Sequence, residues 1–101
     1  MLNDLELAQQ KQRERLRWRI LKIAYAGLTL GVGENLLLAV LGDTGHVTTR
    51  QQVRDQLAYL EGKTLLRVDR ERADWRVIIS PLGVDVAEGT AVCPAGLQPE
   101  V

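Results

Sequence analysis

The chain has 101 residues, 46% of them hydrophobic and 26% charged. That is room for one domain with one core, and too ordinary a balance for wholesale disorder. Thirteen basic side chains cancel thirteen acidic ones, so charge permits polyanion binding without demanding it. The single cysteine, Cys93, excludes an internal disulfide and a cysteine-based zinc cluster. The longest uncharged runs, residues 23–33 among them, fall short of the roughly 20 residues a membrane span needs.

The balance of charge is uneven along the chain. Asp85, Glu88 and Glu100 all lie beyond Arg76, the last basic residue, and residues 11–22 hold six cations against Glu14 alone. A long helix is expected over residues 3–28, capped by Asn3 or Asp4. Leu16, Ile20, Ile23 and Gly27 recur at helical spacing with Trp18, Leu21, Tyr25 and Leu28 beside them, while Arg15, Arg19 and Lys22 fall on the opposite side. Residues 1–13 are mostly polar, with Leu2 and Leu5 ahead of a stretch from Ala8 that is polar all round. They read as a helical arm, solvated or awaiting a partner.

Gly27, Gly31 and Gly33 predict a turn. A second helix from Glu34 to Leu41 follows, acidic at its start and ended by Gly42, with Leu36, Leu37, Val40 and Leu41 available to a core. Thr48 and Gln51 stand at capping-box spacing, which predicts a third helix over residues 49–61. It buries Val53, Leu57 and Leu60, turns Arg50, Gln51, Arg54 and Asp55 outward, and stops at Gly62. The period then changes to alternation. Leu66 and Val68 oppose Arg67 and Asp69; after a polar loop over residues 70–74, Trp75, Val77 and Ile79 alternate with Arg76 and Ile78. Two strands and a hairpin are expected. Ser80-Pro81 starts a last short helix that Gly89 ends, and residues 90–101 read as an irregular tail.

Helix, short helix, turn, capped helix, charged-loop hairpin and helix is the order of the winged helix-turn-helix families. The stretch from Val47 to Glu61 resembles their recognition helix, and Ile79-Ser80-Pro81-Leu82-Gly83 resembles the step that follows the wing. The expected fold is therefore α+β, mainly α: a three-helix core with a β-hairpin wing and a short C-terminal helix over residues 14–89. More narrowly, Leu60-Glu61, Trp75, residues 83–90 and Cys93-Pro94 resemble a family of small uncharacterised proteins of Mu-like bacteriophages and prophages. The resemblance implies the cytoplasm of a bacterial host. It carries no activity, and suggests a morphogenetic role as readily as a repressor.

In a winged helix the third helix enters the major groove. The expected DNA-binding residues are then Thr48, Thr49, Arg50, Gln51 and Arg54, with Arg70, Arg72 and Arg76 on or beside the wing. Asp69, Glu71 and Asp74 interrupt the wing cations and cancel much of their field. Duplex DNA binding as a homodimer is one expectation. The other is a non-catalytic interaction module of phage assembly or DNA packaging, docking through the first helix. No enzyme, cofactor or metal is expected: one His and one Cys cannot build a triad or zinc site. Gly62-Lys63-Thr64 ends a helix where a phosphate loop would open one.

Overall fold

A computed structural model describes residues 1–99. The first helix, α1, runs Asp4–Gly27. Asn3 caps it by accepting the Glu6 amide at 2.8 Å, and Asp4 and Glu6 sit in the first turn, where the helix dipole favours acids. Residues 1–9 are exposed, and contact with the body begins near Glu14.

The glycine-rich segment is more than a turn. After a short 3-10 turn at Leu28–Leu30, Val32–Gly33 form a strand, β1. Gly31 makes it possible: its φ of 78° is open to glycine, and a Cβ there would meet the Val77 carbonyl at 2.9 Å. Helix α2 spans Glu34–Asp43. Helix α3 spans Arg50–Gly62, with the capping box formed by Thr49 and Gln52, one residue later than expected. Thr49 Oγ1 accepts the Gln52 amide at 3.1 Å, and Gln52 Oε1 accepts the Thr49 amide at 2.9 Å. Thr48 and Gln51 have the same spacing, so the pattern alone left the register ambiguous. Thr49→Ala should cost about 1 kcal/mol in chemical denaturation and Thr48→Ala distinctly less; a larger loss for Thr48→Ala would return the cap to Thr48.

Strands β2, Leu66–Asp69, and β3, Arg76–Ile79, form the expected antiparallel hairpin, with Val68 opposite Val77 and Leu66 opposite Ile79. β1 pairs antiparallel with the other edge of β3, giving the order β1-β3-β2. Helix α4, Pro81–Glu88, is capped by Ser80 and stopped by Gly89 in the left-handed conformation. The architecture is α+β, mainly α, with one small antiparallel sheet.

The core lies where α1 crosses α3, the sheet and α4. Ile20, Leu21, Leu37, Leu41, Val53 and Leu57 are among its fully buried members. Leu36 departs from expectation, being 59% exposed. On a helix, Leu36, Leu37 and Leu38 point about 100° apart and cannot share one face; packing chose Leu37 and Leu41. Leu28 also turns out to solvent, because the chain leaves the helix there at φ 46°. Over residues 90–99 the tail has no regular structure but is fastened, and residues 100–101 of the expected tail lie outside the described residues. Leu97 is buried, the Gln98 amide donates to the Glu14 carbonyl at 3.1 Å, and Arg17 donates to the Gly96 carbonyl at 3.0 Å while stacking 3.6 Å over Tyr59.

Candidate functional site

The expected DNA surface is best built from Glu34. Gly33 has no side chain with which to cap α2, so the hairpin loop supplies the acceptors. The Glu34 amide donates to the Trp75 carbonyl at 2.7 Å and the Asn35 amide to Asp74 Oδ1 at 3.0 Å. This fastens α2 to the base of the hairpin and turns the Glu34 carboxylate inward, where it is fully buried.

A buried carboxylate needs partners, and α3 provides two. Arg54 grips Glu34 with both Nε and Nη2, at 2.8 and 2.9 Å, and Arg50 Nη1 donates to Oε1. Arg50 Nη2 continues to Asn35 Oδ1 at 2.8 Å. The Arg54 guanidinium also lies 3.7 Å over the Trp75 ring, with Arg70 5.2 Å from the same ring. The Arg54 hydrogen bond, reinforced by Arg50 and opposed by burial, holds the Glu34 carboxyl below its ordinary pKa.

Arg50 and Arg54 were expected to point outward. Instead they turn along the flank of α3 toward α2, because a charge left alone in the core would cost more than two bent arginines. Arg54 keeps 30% of its side chain exposed and Arg50 keeps 47%. The hairpin arginines are committed too. Arg70 forms a two-pronged pair with Glu61 at 2.8 and 3.1 Å, and Glu61 accepts the Val68 amide as well. The Arg70 bond is the main reason the Glu61 carboxyl is held low. Arg72 pairs with Asp69 at 3.3 Å, and Arg76 donates to the carbonyls of Leu30 and Gly31. All five arginines proposed for DNA thus have internal partners.

Of the remaining expected residues, Thr49 is occupied in the cap and Thr48 is half-buried, its hydroxyl on Gln52. Gln51 is exposed and donates to Asp55 at 2.9 Å. The outermost line of α3 is Gln51, Asp55 and Ala58, which offers one carboxylate and no cation. Spacing places these residues on one helix correctly. It could not show Glu34, sixteen to twenty positions away, drawing two of them aside.

A different surface stands out along α1. A polar groove of about 720 Å³ separates its first half from the α2–α3 turn, with Gln12, Leu16, Val47 and Thr48 among its walls. Val47 there is fully exposed. Further along, a groove of about 510 Å³ runs between α1 and α2, walled by Ile23, Ala26, Val32, Leu36 and Val40 and rimmed by Arg19 and Lys22. Arg19, expected on the solvent side, instead has its Nε buried with no hydrogen-bond partner among the described residues. Leu2 and Leu5, on the arm, are 50% and 67% exposed. The residues were visible in the sequence; the grooves were not, because they arise from how α2 settles against α1.

Among the described residues no three His, Cys, Asp or Glu side chains gather as a metal site, and no helix is long and apolar enough to cross a membrane. Comparison with known protein families, curated proteins and solved structures gives no match. What the chain binds must therefore be argued from its own surface.

Proposed function

We propose that this chain is a non-catalytic protein-interaction module on a winged-helix frame, with its binding surface along α1. The frame is supported by the order of three helices, hairpin and helix, and by a first short strand closing the sheet as β1-β3-β2. The observation that carries the functional reading is the fate of the arginines. The five that would face DNA are spent on Glu34, Glu61, Asp69 and two backbone carbonyls, while large apolar side chains stand exposed around α1. A single exposed leucine is ordinary; apolar residues beside a largely apolar groove mark an interaction surface. The resemblance to Mu-like phage proteins suggests assembly or DNA packaging as the setting.

A second reading, duplex DNA binding, is favoured by specific features. Arg50 stays half-exposed at the capped start of α3, and Arg13 and Arg15 have no ion-pair partner among the described residues. Fluorescence anisotropy with a random duplex at about 50 and 200 mM salt separates the two, since phosphate contacts make affinity fall steeply with salt. The expected result at the higher salt is a dissociation constant weaker than about 10⁻⁴ M, the weak end of non-specific binding. Submicromolar binding that Arg50→Ala weakens would replace the interaction module with a DNA reader.

A further inference from the structure

The exposed leucines of the arm and the groove between α1 and α2 belong to one seam. Leu5, Gln9, Gln12, Leu16, Arg19 and Ile23 recur at alternating spacings of four and three, and Leu2 and Ala26 extend the run at either end. That is the heptad spacing with which one helix packs along another. From Leu5 to Ala26 the seam belongs to a single unbroken helix, Asp4–Gly27, and Leu2 precedes it. Leu5 and Ile23 lie about 27 Å apart along it at ~1.5 Å per residue, so the arm cannot fold back into the groove of its own chain.

We propose that a second copy of this chain fills the groove, the two α1 helices lying antiparallel about a two-fold axis at Glu14. The inference rests on the interaction-module reading and names its first partner. With the axis there, Leu5 lies opposite Ile23 of the second copy and Gln12 opposite Leu16. The arm leucines then cover the groove walls at Leu36 and Val40. Gln9 lies opposite Arg19 of the second copy. Asp4, on the arm, comes alongside Lys22 at the groove rim, while Arg13 and Arg15, which flank the seam, each stand beside their own counterpart near the axis, so charge does not drive the contact. Because the same patch serves both copies, each arm fills the other's groove and the assembly closes as a dimer, leaving no open seam to grow a filament.

The test is sedimentation equilibrium of the full chain at about 10 to 100 µM, with circular dichroism as the control for folding. The wild type is expected to be a dimer that survives high salt, since apolar burial supplies most of the contact. Leu5→Glu and Leu36→Glu change exposed side chains on opposite sides of the contact. Each is expected to weaken association at least 100-fold with no loss of helix content. Leu7→Glu, an exposed leucine off the seam, is expected to leave the dimer intact. A monomeric wild type, or a dimer indifferent to both seam variants, overturns the proposal. Neither result depends on the DNA titration: tight DNA binding by an intact dimer would overturn the interaction-module reading alone.

Discussion

Glu34→Ala is expected to destabilise the protein by about 3 kcal/mol at neutral pH. Removing one partner of a buried ion pair costs roughly 3–5 kcal/mol when the charge left behind stays buried. Here Arg50 and Arg54 are partly exposed and can turn to water, which places the loss at the lower end. The consequence reaches past one contact. Glu34 joins α2 to α3, and its backbone amide joins α2 to the hairpin at Trp75, so the variant loosens the junction of three elements. Urea denaturation followed by circular dichroism gives the number, with Asp69→Ala as the comparison. Asp69 also pairs with an arginine, but at the surface, where such pairs are worth at most about 1 kcal/mol. Equal losses in the two variants would mean that the clamp is not structural.

The same carboxylate sets a pH dependence of definite sign. Its pKa is lower in the folded chain than the roughly 4.3 of a free glutamate. The unfolded chain therefore takes up the proton first as pH falls. The stability Glu34 supplies is complete above about pH 5 and is lost as pH drops through the lowered folded value. Glu34→Gln should flatten this acid limb as well as reduce stability at pH 7. Glu61, also held low, leaves a residual slope.

Gly83→Val is the other large effect, expected to cost about 3 kcal/mol or more, or to prevent folding. Gly83 is buried in α4, and even the first carbon of a side chain would stand 2.0 Å from the Leu65 carbonyl oxygen and 2.7 Å from Ile79 Cγ1. Backbone cannot yield as a side-chain tip can. The whole helix must back away, and overpacking of this kind outweighs the gain of up to ~1 kcal/mol from replacing a helical glycine. Gly62→Ala is the matched control. It lies in the last turn of α3 with nothing near the new carbon, so only the propensity term remains and stability should hold or rise slightly. A thermal melt of both variants decides it; a Gly83 variant as stable as the wild type would mean that α4 does not press on Leu65.

Local signals along the chain were decisive where a residue's own backbone chemistry was at stake. Asn3 starts a helix because its carboxamide meets an amide one turn on, Ser80-Pro81 does so with a hydroxyl and a fixed φ, and Gly89 stops one in a left-handed turn. Alternation from Leu66 to Ile79 specified the hairpin because the two faces of a strand meet different surroundings. These determinants act over one to four residues. They therefore survive without knowledge of the fold, though the expected cap of α3, Thr48 with Gln51, fell one residue short of the actual one, Thr49 with Gln52.

Tertiary structure decided what depends on distant partners. β1 is two residues long and exists only because β3 offers it an edge. Arg50 and Arg54 look like free cations on an exposed helix until Glu34 is buried beside them, and that burial depends on how the hairpin loop caps α2. The sequence by itself determined the four helices, the hairpin, their order and the α+β class, because those follow from periodicity and capping. Only packing decided which charges face solvent and which apolar residues line a groove, because a side chain's direction is chosen by whatever lies across from it in space.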